Sequence, residues 1–261
     1  ILISIIAVLS RLPWLLFTLP AGAITDRMDR KKLIVAMDTF RGALTLAVGL
    51  AVWWERESLP NLATISMESQ VSTNLSLYIV IASAALLFGF AEVLRDNAAQ
   101  TLLPNVVAEE NLQKANGRLW STEYLMNSLV GPPMGSLIIG IAVFLPFFFD
   151  ATSFFVAAAL ISTLAVSLKP QEKKSESRSI RAEVKEGFEW LWKHELFRPM
   201  AISLGLLNLV NGISTATFIL FSQEILKTSV FVFAILGTAG AIGGTIGGVL
   251  DRKSTRLNSS H

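Results

Sequence analysis

The chain has 261 residues, 52% of them hydrophobic and only 16% charged, with a mean hydropathy of +0.55. A soluble domain of this length carries nearer a quarter charged residues, so a water-covered globular fold is excluded as the main reading. The net charge of +2 says little as a total, and without cysteine no disulfide framework, thiol nucleophile or Cys-based metal site can form.

The apolar residues gather in runs of roughly 20, the length that crosses about 30 Å of hydrocarbon as helix. An all-α polytopic membrane protein is therefore expected. Seven spans are predicted, at about 1–21, 33–54, 77–98, 118–142, 145–168, 199–221 and 230–250. Ile1 opens the first with neither Met nor a charged leader, which reads as a chain cut from something longer. That span holds Arg11, about 11 residues and so near 16 Å from the following turn, roughly the bilayer midplane. Ionisable groups at that depth are costly and mark function or a paired structural role. Two roles fit Arg11: a substrate- or proton-linked charge, or a structural partner for a carboxylate on a neighbouring helix.

The first connection, Gly22-Ala23-Ile24-Thr25-Asp26-Arg27-Met28-Asp29-Arg30-Lys31-Lys32, is a short cationic turn between two apolar runs. In the second span Asp38 and Arg41 are three apart and share a helical face. The next loop, 55–76, is acidic and Ser/Asn-rich, with Glu55, Glu57 and Glu68 beside Arg56. Glu92, Arg95 and Asp96 in the third span repeat the charged pattern. With Asp26 and Arg27 they are expected to form one charged cluster near the cytoplasmic side.

In the fourth span Glu123, Asn127, Gly131 and Gly135 step by four, a single stripe on a regular helix. The glycines are read as helix-packing positions, and Pro132-Pro133 as a bend, because proline removes backbone donors. Glu123 is a candidate proton carrier and Asn127 lies on the same face. The run Phe147-Phe148-Phe149 and the pair Phe154-Phe155 read as lipid-facing or core residues, with Asp150 a weaker site candidate.

The long connection 169–198 begins as a polar, charge-mixed linker. It then places Val184, Phe188, Leu191 and Trp192 on one face of an amphipathic helix suited to the membrane surface. Asn208 and Asn211 fall mid-depth in the sixth span, as substrate contacts or interhelical glue. Gly240, Gly244 and Gly248 step by four in the seventh and read as packing residues. The tail from about 251 is polar, resembles translated cloning adapter, and is set aside as non-native.

Positive charge falls on every second connection: Arg27 to Lys32, Lys114 with its flanking Arg95 and Arg118, the 169–198 segment, and Arg252, Lys253 and Arg256. The positive-inside rule makes those segments cytoplasmic. Phosphate-loop, zinc-binding His-Glu-x-x-His and Gly-x-Ser-x-Gly motifs are missing from the sequence, which argues against an enzyme.

The apolar–charged turn–apolar arrangement at Gly22 to Lys32 resembles the connection between the second and third helices of major facilitator superfamily transporters. Ala98-Ala99-Gln100-Thr101-Leu102-Leu103-Pro104-Asn105-Val106-Val107 and Asn111-Leu112-Gln113-Lys114-Ala115-Asn116-Gly117 resemble the fourth-to-fifth connection of its bacterial drug, macrolide and siderophore exporters. Gly131-Pro132-Pro133-Met134-Gly135 resembles their Gly-Pro-rich fifth helix. In this register the long linker follows family helix six, where the family has its own. Asp29 departs from the pattern, since that turn position is usually Gly in the family.

The resemblance implies a partial helical bundle: residues 1–168 as the N-terminal half (family helices two to six), 169–198 as linker, and 199–250 as helices seven and eight. Family helix one and helices nine to twelve are then expected to be missing, and alternating access by this piece alone is not expected. It further implies secondary active transport, most specifically proton-coupled efflux of drugs, macrolides or siderophores. The inner gate would contain Gly22, Asp26, Arg27, Arg30, Lys31, Asp38, Arg41, Glu92, Arg95 and Asp96. The substrate or proton pathway would contain Arg11, Glu123, Asn127, Asn208 and Asn211, and packing would use Gly131, Pro132, Gly135, Gly240, Gly244 and Gly248. No cofactor, metal or nucleic acid is implied; the partners are membrane lipids, a small-molecule substrate and protons, in a monomer of a bacterial inner membrane. Movement of lysophospholipid or another lipid, an ATPase-assisted pump, and a non-transporting scaffold or receptor on the same fold are the competing readings.

Overall fold

A computed structural model describes residues 2–59, 74–164 and 180–228, with 232, 233, 235, 236, 239 and 243. Among the described residues the structure is helical and without strands: α1 (Leu2–Thr25), α2 (Arg30–Trp54), α3 (Leu75–Val106), α4 (Leu112–Tyr124), α5 (Gly131–Ile141), α6 (Leu145–Ser162), α7 (Ile180–Lys193) and α8 (Phe197–Leu220). A 3₁₀ turn precedes α4 at Glu109–Asn111, and π-helical turns follow α4 at Leu125–Val130 and α8 at Phe221–Ile225. Five helical segments are long and apolar enough to cross a membrane, and six if the bent pair Val184–Lys193 and Phe197–Thr215 is taken as one span. The seventh predicted span, its stepped Gly240, Gly244 and Gly248, the linker at 165–179 and the tail from 251 lie outside the described residues.

The chain divides into two compact units, Ile1–Leu112 with Ala142–Arg198, and Gln113–Ile141 with Pro199–His261. In the first unit α1 and α3 run parallel. Tyr78 Oη donates to the Leu2 carbonyl at 3.1 Å near one end, and Phe17 meets Phe90 edge-on at 5.3 Å further along. Gly89 permits this approach: a Cβ there would lie 2.9 Å from both the Ser10 carbonyl and Pro13 Cγ.

Helix α2 runs antiparallel to both α3 and α6, and its buried face is layered. Leu33 and Ile34 pack with Ala98 and Leu102, and Val48 and Val52 pack with Leu77. Between these two apolar layers sit Asp38 and Arg41. On the α6 side, a Cβ at Gly42 or Gly49 would come within about 3 Å of Phe155 or Phe147, so small residues bring these helices close. The sequence reading missed this glycine seam, because Gly42 and Gly49 are seven apart, about two turns, and form no Gly-x-x-x-Gly motif.

Asp29 resolves the departure from the family's usual turn. Its backbone is extended (φ −67°, ψ 111°), a region open to any L-residue, and its Oδ1 accepts from the Lys32 N–H at 3.1 Å as the N-cap of α2. The turn at Asp29 needs a capping acceptor rather than glycine's freedom. Lys31 Nζ donates to the Leu164 carbonyl at 2.6 Å, satisfying an acceptor just beyond the end of α6.

In the second unit the helix of the fourth span, expected to bend at Pro132-Pro133, is interrupted by a π-helical turn just ahead of them. Pro132 and Pro133 cannot donate to carbonyls one turn back, and the chain widens into the π turn Leu125–Val130, with the Gly131 N–H bonded to Met126 O. A Cβ at Gly131 would sit 2.6 Å from that carbonyl. This corrects the stripe reading: the wider turn takes Glu123 and Asn127 out of α-helical line with Gly131 and Gly135. Gly131 serves its own helix, and no described atom lies within 4 Å of a Cβ built at Gly135.

Candidate functional site: a charged layer in the first unit

Asp38 lies about 12 Å along α2 from its first residue, at 1.5 Å per residue. Its side chain is 2% exposed. Two guanidiniums converge on its Oδ1: Arg41, one turn along α2, at 3.5 Å, and Arg95 Nε from α3 at 3.4 Å. Arg95 reaches its own neighbour Asp96 at 3.2 Å. The layer is thus a chain of alternating charge, Arg41–Asp38–Arg95–Asp96, tying α2 to α3.

Arg41 is fixed by more than its ion pair. Its guanidinium carbon lies 4.4 Å from the Phe88 ring centroid and 4.3 Å from that of Phe154, so aromatic faces from α3 and α6 flank the planar cation. The two rings meet edge-on at 5.5 Å. Phe154 therefore belongs to the charged layer as well as to the core, a role its sequence context did not reveal.

Glu92 sits one turn before Arg95 and Asp96 on α3. Its Oε2 accepts from the Trp14 indole N–H at 3.2 Å, tying α1 to the same layer, and its charge acts on Arg41. Trp14 was not singled out from the sequence. A tryptophan and a carboxylate 78 residues apart show no local pattern.

Five of the expected gate residues, Asp38, Arg41, Glu92, Arg95 and Asp96, are thus brought together. Asp26 is a correction: its carboxylate is 63% exposed and pairs with Arg30 at 3.4 Å within the turn, apart from the Asp38 group. Arg27 lies in the same exposed turn. Gly22 offers its carbonyl to the Asp26 N–H at 3.0 Å, and among the described residues no other element comes within 4 Å of a Cβ built there. Arg11 is on an exposed face of α1, with no ion pair among the described residues.

In the second unit Glu123 and Asn127 are exposed, one at the end of α4 and the other in the π turn. Asn208 donates to the Leu204 carbonyl at 3.0 Å, and Asn211 accepts from the Thr215 hydroxyl at 3.3 Å. Both bonds stay within α8, so neither asparagine acts as interhelical glue among the described residues. His194, between α7 and α8, has a capping role: its Nδ1 accepts from the Leu196 and Phe197 N–H groups at 3.2 and 3.3 Å.

Apolar spanning helices joined by a capped cationic turn, with an Asp–Arg layer inside, form the setting for the comparisons with known proteins. The family model described as Major Facilitator Superfamily matches residues 1–260. The chain belongs to the Major Facilitator Superfamily. Similar relatives are the multidrug efflux pump Tap of Mycobacterium bovis and that of Mycobacterium tuberculosis. Each is 25% identical over 206 residues, covering 76% of this chain and 44% of the relative. The chain thus spans less than half the length of the curated relatives it matches. No solved structure matches it significantly. Major facilitator membership makes this a multi-pass membrane protein of a transporter family, not an enzyme.

Proposed function

We propose that the protein is a secondary active exporter of small molecules, working by alternating access and driven by proton antiport. The observation that carries the reading is the Arg41–Asp38–Arg95–Asp96 layer in a chain matched end to end by the superfamily model. Relatives named as multidrug efflux pumps favour export over import and drugs as cargo; macrolides and siderophores enter this proposal through the sequence resemblance at residues 98–117 and 131–135 alone. In this proposal the layer is the inner-gate element. It locks α2 against α3 in one state, and its rearrangement releases them in the other. Arg11 and Glu123, charged and exposed within spanning helices, are the proposed substrate- or proton-linked groups, with Asn127, Asn208 and Asn211 as polar contacts along the path.

The same reading takes residues 1–168 as the N-terminal half, 169–198 as a cytoplasmic linker with α7, and 199–250 as the start of the C-terminal half. It places the protein as a monomer in a bacterial inner membrane. The experiment expresses the chain at the full length of its gene in everted vesicles and follows lumenal pH by dye fluorescence as drugs, macrolides and siderophores are added. Substrate-triggered proton release that is lost in Glu123→Gln or Arg11→Ala supports proton antiport. Correctly inserted protein without any response overturns it, and a response to lysophospholipid alone would move the cargo to lipids.

A further inference from the structure

The short corner between α7 and α8 is organised around His194, and the residues that form it belong to the first unit. The His194 N–H closes the last turn of α7 on the Trp190 carbonyl at 3.0 Å, and its own carbonyl accepts from the Arg198 N–H at 3.1 Å in the first turn of α8. Its ring takes two N–H groups in between: Nδ1 accepts from Leu196 at 3.2 Å and from Phe197 at 3.3 Å. The following residue, Pro199, has no N–H to satisfy. Three consecutive donors of the kind a helix start leaves orphaned thus rest on a single residue. Among the described residues no other side chain accepts from Leu196 or Phe197.

The half-buried ring is held by more than those two hydrogen bonds. Its centroid lies 4.8 Å from that of Trp190 and 4.6 Å from that of Phe197, and these two rings are 5.5 Å apart, so three rings bridge the corner. The charged groups of α7 nearest in sequence are Lys193 and Glu189, the latter paired with Lys185 at 3.7 Å, with Glu186 further back. Glu195 follows the histidine, and Arg198 lies in the first turn of α8. Helix α1, which packs against α7, carries Arg11 as its one charged residue.

A ring nitrogen that accepts carries no hydrogen, so the capping imidazole is neutral with its proton on Nε2. A second proton turns Nδ1 into a donor facing two donors. It also sets a positive charge at a helix start, where the backbone dipoles are already positive. The aromatic contacts do not oppose this release, because an imidazolium keeps its attraction for the Trp190 and Phe197 faces whichever way Nδ1 points. We propose that His194 makes this corner a pH-sensitive joint. It is capped while the ring is neutral, and it gives up the Leu196 and Phe197 N–H groups when the ring is charged. Histidine is the side chain suited to such a device, since it changes charge between about pH 5 and 8. The joint is independent of which cargo the protein carries and of which ion drives it.

The test holds the protein in phosphatidylcholine nanodiscs and reads amide hydrogen exchange residue by residue at about pH 8 and about pH 5. Each rate is divided by the intrinsic rate of an unstructured amide at that pH. Protection of Leu196 and Phe197 is expected to fall about tenfold at the lower pH, as for loss of one cap, while that of Leu191 inside α7 stays unchanged. His194→Asn supplies a side-chain oxygen that accepts but takes up no proton, and is expected to hold equal protection at both pH values. His194→Ala is expected to show the low value at both. Equal protection at the two pH values in the unaltered protein overturns the proposal without any variant having to fold. A fall shared by Leu191 overturns it as general loosening, and a fall that persists in His194→Asn overturns it by assigning the effect to Glu195 or another carboxylate.

Discussion

Arg95 Nε lies 3.4 Å from Asp38 Oδ1, joining α3 to α2 through a carboxylate that is 2% exposed. A buried acid shared by two cations stabilises only while all three are present. Removing the acid leaves Arg41 without its ion-pair partner and Arg95 with Asp96 alone, a larger penalty than the loss of one attraction. Asp38→Ala is therefore expected to destabilise the first unit by about 3 kcal/mol. The check is thermal unfolding in detergent, where Asp38→Glu should lie between the parent and Asp38→Ala. An unchanged midpoint for Asp38→Ala would mean the layer is not under tension in this state.

The seam between α1 and α3 has less slack than that between α2 and α6. At Gly89 the nearest obstacles to a methyl are a backbone carbonyl, that of Ser10, and the Pro13 ring. At Gly42 it is the Phe155 ring, whose side chain can swing aside. Gly89→Ala should thus cost more than Gly42→Ala, by roughly 1–3 kcal/mol as for an overpacked core. Parallel melting curves of the two variants decide the order, and the reverse ranking would refute the packing argument.

Trp14 donates to a charged acceptor, the stronger kind of hydrogen bond. Trp14→Phe keeps the aromatic volume but leaves Glu92 without that donor, and is expected to cost about 1.5 kcal/mol. Glu92→Gln retains an acceptor oxygen and should cost less. Additive losses in a double-mutant cycle would show that the two side chains do not interact.

The π turn before Gly131 should depend on that residue having no side chain. Gly131→Ala places a methyl on the Met126 carbonyl, so the chain must either rewind α-helically or open further. Because the protein lacks cysteine, spin labels on cysteines introduced at Trp120 and Leu137 would report the change without background. A shift in their distance distribution of about 1.5 Å or more, one residue's rise, is expected. Superimposable distributions would show that the turn tolerates the methyl.

The parts of this architecture legible in the sequence were those written locally. Runs of apolar residues set the spans, and pairs three apart, such as Asp38 with Arg41, marked the charged face before any helix was seen. What joins helices was not legible. Trp14 with Glu92 and Arg41 with Phe154 depend on which faces meet, and no periodicity within one segment encodes that. The π turn escaped for another reason: spacing by four presumes a uniform 3.6 residues per turn, and Pro132-Pro133 signals a disturbance without saying whether it kinks or widens the helix. Asp26 was assigned to the cluster by its charge alone, whereas Arg30, one turn away, was the nearer partner.

Helix α2 is held at both extremities by hydrogen bonds to other elements. Near its start Lys31 grips the Leu164 carbonyl at 2.6 Å, and at its far cap Glu55 accepts from Asn74, the residue that caps α3, at 3.0 Å. A rod fastened at two ends resists sliding along its axis but can still be carried with its mounts. Any stroke that moves α2 lengthwise must break both fastenings, whereas one that swings α2, α3 and α6 together breaks neither. Mechanically, then, the three helices form a stiff lever, and compliance has to be found where no such fastenings exist.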